Sequence, residues 1–256
     1  MAGSSPVPSP SVSEQSLIPS NFLVGQGLLR RSQHLLIVLW ISFAIPIVRS
    51  TYYVILGAAT VPPHTALQQQ FGLSAALIEE ASALFLLWYV MGRLGKTRSD
   101  IGWNPKGTDV LKAVGLFLLV MVARWFFYYS VQLPYHAYSG HYLVGRSAQS
   151  VLSVLGLRLS FFWVVYACLN PFFEELIVRA YTMSEILNLG GSRAAAVTVS
   201  TAVQLSYHFY QGAVNVLWLA PIFLVFSIYY ARSRRIFPII LVHLAMDLVP
   251  VLRGHI

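Results

Sequence analysis

Long apolar runs alternate with short polar segments along most of this chain. Seven such runs are present, at about 35–56, 75–91, 110–131, 151–187, 194–210, 214–230 and 236–252. A run of about 20 apolar residues is long enough to cross a bilayer as a helix. Backbone polar groups cannot remain unpaired in lipid, so each crossing should be helical. The pattern therefore predicts an all-α fold, a polytopic bundle of about seven transmembrane helices.

Composition agrees with a membrane location. The chain is 57% hydrophobic and only 10% charged, and its mean hydropathy is +0.66, values foreign to soluble globular proteins. Residues 1–25 are rich in Ser, Pro and Gly and are expected to form a disordered tail. We therefore divide the chain into this tail, a set of amino-terminal transmembrane helices at 26–150, and a core at 151–256 that carries most of the candidate chemistry.

The net charge of +8 does not indicate a nucleic-acid partner, because the basic residues lie between the apolar runs. If the amino terminus is cytoplasmic, eleven of them fall on the cytoplasmic side, and a weaker set falls opposite: Arg49, Arg146, Arg158 and Arg253. Basic residues are enriched on the cytoplasmic side of membrane proteins. We expect an integral protein of the cell (inner) membrane, surrounded by lipid, with a cytoplasmic amino terminus.

An acidic pair lies inside the fourth apolar run. Glu174 and Glu175 are two of only nine acidic residues in the chain, and an ionisable group within a membrane segment is a candidate functional group. Pro171 predicts that a new helix starts there, which would put both glutamates in its first turn. Glu175 and Arg179 are four residues apart and can pair on one helix face, whereas Glu174 points elsewhere. A purely structural ion pair is the alternative.

A second acidic pair serves as a comparison. Glu79 and Glu80 stand one turn inside the second apolar run, and no basic residue follows Glu80 at the same spacing. We interpret them as an interfacial pair that the helix dipole favours.

Two later apolar runs carry histidines. His208 follows Gln204 by four residues, and His243 precedes Asp247 by four. A carboxylate at that spacing can orient an imidazole and select its tautomer. Each histidine could instead be a hydrogen-bonded packing residue. Three separate runs that each bring polar groups inward favour a shared site.

At these residues the sequence resembles the CPBP (Abi/CAAX) family of intramembrane proteases. The family's Glu-Glu-x-x-x-Arg motif is matched by Glu174, Glu175 and Arg179. Its Phe-x-x-x-His motif is matched by His208 alone, with Gln204 at the Phe position. Its His-x-x-x-Asn/Asp motif is matched by His243 and Asp247. The resemblance covers about residues 157–252.

The resemblance implies a role for each of these residues. Glu174 would be the general base that activates a water, and His208 would help to hold that water. Arg179 would orient Glu175. His243 would stabilise the oxyanion, and Asp247 would orient His243 or carry a proton.

We expect no cofactor. The alternative is a Zn²⁺ ion held by Glu174, His208 and His243, since two histidines and a carboxylate form a known catalytic zinc set. The His-Glu-x-x-His pattern that would favour zinc is absent from the sequence.

The resemblance thus implies an intramembrane endopeptidase, a peptide hydrolase that cuts a membrane-associated or C-terminally processed protein. Two alternatives stay open. One is a catalytically inactive scaffold, regulator or immunity protein of the same fold, and the other is a small transporter that uses the buried acids and imidazoles as a proton relay. The sequence leaves the substrate undefined.

Overall fold

The computed structural model describes residues 20–56, 65–141, 161–212 and 216–252, and all regular structure within them is helical. The α-helices are α1 (Ser20–Leu56), α2 (Ala66–Arg93), α3 (Thr108–Phe127), α4 (Leu133–Ser139), α5 (Phe161–Glu174), α6 (Thr182–Asn188), α7 (Arg193–Ser206), α8 (Val216–Ser233) and α9 (Phe237–Leu252). Two π-helical segments, Tyr128–Gln132 and Glu175–Tyr181, join α3 to α4 and α5 to α6 into continuous rods. The described residues therefore form seven rods, and the predicted all-α membrane bundle is confirmed. Residues 1–19, Arg146, Arg158 and Arg253 lie outside this part of the chain.

Five of the seven rods are long and apolar enough to cross a membrane: Gly27–Ile55, Gln70–Arg93, Thr108–Ser139, Phe161–Asn188 and Val216–Ser233. The other two are shorter. Helix α7 has 14 residues, which span about 21 Å at 1.5 Å per residue, less than the hydrocarbon thickness of about 30 Å. The apolar stretch of α9 runs over Phe237–Leu248. Helix α7 also ends four residues before the predicted run does, so His208 lies in the turn that follows it.

The prediction that Pro171 starts a new helix is wrong. Helix α5 continues through Pro171 to Glu174 and passes directly into the π-helical segment Glu175–Tyr181. Membrane helices tolerate proline because neighbouring groups can satisfy the freed carbonyl. The two glutamates therefore lie in mid-rod, where they are buried, and not in an exposed first turn.

Close packing around α5 and its π-helical extension buries the polar residues of the carboxyl-terminal half. Helix α2 packs along α5, α7 packs along α8, and α9 contacts both α3 and α5. Aromatic rings join α1 to this core: the Phe43 ring lies 5.2 Å from that of Phe173 and 4.9 Å from that of Tyr207. The backbone N–H of Tyr210 donates to the Ser50 hydroxyl at 2.6 Å, which fixes the turn after α7 against α1.

The loops at one end of the bundle are tied together by polar contacts. Arg235, between α8 and α9, forms a bidentate pair with Asp109 of α3, with N···O distances of 2.8 and 2.6 Å. The loop between α2 and α3 is ordered by the Thr97 backbone N–H, which donates to Asp100 at 2.6 Å. The backbone and side-chain hydrogen bonds from Thr97 lower the pKa of Asp100.

Candidate active site

Arg179 occupies the centre of a buried polar cluster. Its Nη1 lies 2.7 Å from Glu175 Oε2, which confirms the predicted pairing at a spacing of four. Arg179 and Glu175 are both completely buried. The guanidinium also lies 5.4 Å from the ring centroids of Phe223 and Phe226 on α8. Cation–π contact and ion pairing together compensate for the loss of water around the charge.

Glu175 reaches a second partner across the bundle. Its Oε1 lies 2.7 Å from Nδ1 of His243 on α9. Since a carboxylate can only accept, Nδ1 carries the proton and His243 is held with Nε2 on the opposite side of the ring. That Nε2 lies 3.8 Å from Glu174 Oε2. The first and third sequence motifs therefore meet at this imidazole.

Gln204 connects Glu174 to the same cluster. Its side-chain oxygen accepts from Arg179 Nη1 at 2.8 Å, and its nitrogen donates to Glu174 Oε2 in a short contact. Gln204 is completely buried. The sequence motifs predicted no role for Gln204, which stands at the family's Phe position four residues before His208. A buried glutamine four residues before a histidine was the signal that could have identified this bridge.

Glu174 faces a cavity of about 150 Å³ between α1, α2, α5 and the turn after α7. The side chain of Glu174 is 6% exposed, yet it lines this space together with His208. The walls also include aromatic rings: Phe43, Tyr53, Tyr166, Phe173, Tyr207 and Tyr210. One carboxylate therefore has access to a small, largely apolar chamber, while its neighbour Glu175 is fully occupied by Arg179 and His243.

His208 has a defined tautomer. Its Nδ1 lies 2.7 Å from the carbonyl oxygen of Gln204. A carbonyl only accepts, so Nδ1 carries the proton and Nε2 keeps a lone pair. His208 and Glu174 thus supply two basic groups to one cavity.

Asp247 does not orient His243 as the spacing of four suggested. Its Oδ2 lies 3.7 Å from His243 Nε2, beyond hydrogen-bonding distance. Glu175 orients the ring instead, from the Nδ1 side. Asp247 is the most exposed acid of the group, with 31% of its side chain accessible.

Glu80 also belongs to this region, contrary to its interpretation as an interfacial residue. Glu80 is 5% exposed and lines the same cavity as Glu174. Glu79 is the more exposed of the two, since 23% of its side chain is accessible and it lies 3.8 Å from the exposed Arg49, although it also lines the cavity. The sequence could not separate the two glutamates, because which of them faces the core depends on how α2 packs against α5.

The donor atoms nearest to a metal-binding arrangement are those of Glu174, Glu175 and His243, which lie within 4.8 Å of one another. This set differs from the zinc alternative, which required His208. It also fits zinc poorly, because both oxygens of Glu175 already contact Arg179 and His243, which leaves only Glu174 and Nε2 of His243 as free donors of the set. The Arg179 charge beside them would further oppose a divalent cation.

These contacts define a helical membrane domain with a buried glutamate–histidine–arginine centre. Residues 156–249 match the family model for type II CAAX prenyl endopeptidase Rce1-like proteins. The match contains all six predicted site residues, from Glu174 to Asp247. Over this segment the chain is similar to that protease family, and the resemblance to the CPBP (Abi/CAAX) family that the motifs indicated is confirmed. Comparisons with curated proteins and with solved structures found no match.

Proposed function

We propose that this protein is an intramembrane endopeptidase that hydrolyses a peptide bond in a membrane-associated or C-terminally processed protein, with a water activated by Glu174. One observation carries the proposal: Glu174 is the member of the buried cluster that lines the cavity, and Gln204 holds it there. A general base must be fixed within reach of a water molecule and shielded from bulk solvent. Glu174 meets both conditions.

The proposed reaction begins with a water between Glu174 and His208. The water donates one hydrogen to the Glu174 carboxylate, while its other hydrogen can be accepted by Nε2 of His208. As the water oxygen attacks the scissile carbonyl carbon, Glu174 takes the first proton. A carbon–oxygen bond forms, and the carbonyl oxygen becomes an oxyanion.

His243 is the proposed stabiliser of that oxyanion. Glu175 holds its Nδ1–H, so an imidazolium form would direct an Nε2–H toward the side occupied by Glu174. A donor aimed at developing charge in a water-poor site is among the strongest catalytic contributions. The intermediate then collapses, the carbon–nitrogen bond breaks, and the proton on Glu174 passes to the leaving amine.

Three residues of the cluster take no part in bond making or breaking in this scheme, but they hold the reacting groups in place: Glu175, Arg179 and Gln204. Arg179 holds Glu175 and Gln204 at 2.7 and 2.8 Å, and these two residues hold His243 and Glu174. A base and an oxyanion donor on different helices need such a link to keep their relative geometry.

The test compares the wild type with Glu174→Gln. Peptide mass spectrometry of membranes from cells that express each form should reveal new peptide termini in the wild type only. Glu174→Gln keeps the side-chain size, so its expression and thermal unfolding in detergent should stay close to the wild type. Gln70→Glu, an isosteric change at an exposed position of α2, serves as the control and should cleave normally.

If Glu174→Gln produces the same termini as the wild type, the proposed base is wrong. If neither form produces any cleavage but a cellular function depends on the protein, an inactive scaffold or regulator of the same fold replaces the peptidase. A pH-driven flux in proteoliposomes without a cleaved product would instead favour the transporter.

A further inference from the structure

Glu80 is a buried acid from outside the matched family segment. It belongs to α2, whereas the family match begins at residue 156. Within the described part of the chain, no Lys, Arg or His forms an ion pair with it, and its charged neighbours Glu174, Glu79 and Asp247 are all acidic. A buried carboxyl without a cation is costly. Ion pairing therefore gives no structural reason for its presence.

Asn170 connects Glu80 to the candidate base. With its amide nitrogen turned toward the two carboxyls, Asn170 donates to Glu80 Oε1 at 2.9 Å and to Glu174 Oε1 at 3.3 Å. In the opposite orientation its oxygen would face those oxygens, so only this orientation satisfies the amide. One nitrogen with two hydrogens thus serves two carboxyls.

We propose that Glu80 is a positioning residue for Glu174 and acts through the Asn170 amide. The inference rests on the proposed function of Glu174. By accepting one N–H of Asn170, Glu80 selects the amide orientation in which the other N–H points at Glu174 Oε1. Gln204 holds Glu174 Oε2, so the two amides together fix both oxygens of the base. Without an acceptor at position 80, one N–H of Asn170 loses its partner, and the amide can turn away from Glu174 toward another acceptor.

The inference predicts that position 80 needs an acceptor oxygen but not a charge. Glu80→Gln retains an acceptor and should keep kcat within a few-fold of the wild type. Glu80→Met has a similar shape and no acceptor oxygen. It should lower kcat roughly ten- to a hundredfold, the effect of losing a hydrogen bond to a charged group, with KM unchanged. If Glu80→Met does not fold, Glu80→Ala replaces it.

A double-variant comparison tests whether the effect passes through Asn170. Asn170→Ala should lower kcat about as much as Glu80→Met, and the combination of the two should lower it no further. Additive losses would overturn the inference, as would equal activity of Glu80→Met and the wild type. A purely structural role would lower the melting temperature and the folded fraction, with kcat per folded molecule unchanged. Gln70→Met, at an exposed polar position of the same helix α2, is the control and should behave as the wild type.

A second measurement does not depend on cleavage. Dicyclohexylcarbodiimide labels carboxyl groups in apolar surroundings, and peptide mass spectrometry can quantify its adduct on Glu174. Freed from the Asn170 hydrogen bond, Glu174 should be labelled faster in Glu80→Met and Asn170→Ala by the same factor. Faster labelling in Asn170→Ala alone would refute the role of Glu80. Labelling also decides the inference if the wild type cleaves nothing, an outcome that would refute only the peptidase function.

Discussion

At the scale of single residues, Arg179 has the largest number of roles in the site. It contacts Glu175, Gln204 and two aromatic rings while it is completely buried. Such a charge adds little net stability when its partners are present, but it is very costly when one of them is removed. The arrangement is explained better by the need to hold Glu174 and His243 in register than by stability.

Arg179→Met should therefore lower the free energy of unfolding by about 3–5 kcal/mol, because it leaves the buried Glu175 carboxylate without its cation. The double variant Arg179→Met, Glu175→Gln should recover part of that loss. The measurement is thermal or denaturant unfolding in detergent. Arg49→Met is the matched control, because Arg49 pairs with Glu79 at 3.8 Å and its side chain is 56% exposed. Arg49→Met should lower the free energy of unfolding by less than about 1 kcal/mol. A similar cost for both variants would contradict the buried network.

Removal of metal ions should not affect the site residues. Because the oxygens of Glu175 and one nitrogen of His243 are already engaged, a chelator such as EDTA or 1,10-phenanthroline should leave the cleavage rate unchanged. Added Zn²⁺ should not stimulate cleavage. Loss of activity on chelation that only Zn²⁺ restores would instead favour the metal alternative.

At the level of elements, Glu174 and Glu175 lie at the junction between α5 and the π-helical segment Glu175–Tyr181. The backbone N–H of Thr182 bonds the Ile177 carbonyl, five residues back, and its hydroxyl donates to the same oxygen at 2.8 Å. A π-helical turn inserts a residue and re-aims the side chains around it. Glu174, at the end of α5, faces the cavity, while Glu175 faces Arg179 and His243.

Two glycines of the loop between α2 and α3 have left-handed backbone conformations but different surroundings. Gly102, in the loop between α2 and α3, has a φ of 73°, and a Cβ there would lie 2.0 Å from the Arg234 carbonyl oxygen. Gly95 has a similar φ of 64° but nothing within 4 Å of a Cβ. Gly95→Ala should thus cost only the left-handed backbone penalty of about 1–2 kcal/mol. Gly102→Ala should cost roughly 1–3 kcal/mol more from overpacking. Unfolding in detergent measures both, and equal losses would show that this loop contact is unimportant.

In the whole molecule, the basic loops after α2 and α8 lie toward one end of the bundle and the cavity lies toward the other. The loops after α2 and α8 carry one basic set, in which Arg235 joins Asp109 of α3. The cavity instead involves Arg49, Ser50 and Tyr53 near the carboxyl end of α1. If basic loops are cytoplasmic, the amino terminus is cytoplasmic too, and the cavity lies toward the opposite leaflet.

Single-cysteine labelling tests this orientation. In a Cys168→Ser background, a membrane-impermeant maleimide should react with Arg49→Cys in intact cells and with Lys106→Cys only after permeabilisation. Both side chains are exposed in the structure. The reverse pattern would place the amino terminus outside, with the cavity facing the cytoplasm.

The helical bundle and the Glu175–Arg179 pair could both be predicted from the sequence, which also singled out Glu174, His208 and His243 as candidate site residues. All of these follow from local information, since apolar runs specify membrane helices and a spacing of four specifies a shared helix face. Each family motif likewise lies within a few consecutive residues, so it can be recognised without knowledge of the packing.

Which partner each polar group takes depends on how the helices pack in the folded protein. Gln204 lies 30 residues from Glu174 and 25 from Arg179, and Glu80 meets Asn170 across two helices. Helix packing also determines that α5 continues through Pro171. In the same way it determines that Glu175, and not Asp247, orients His243. Within a bilayer, a polar group must find whichever partner helix packing brings near, and no local pattern in the chain specifies that packing.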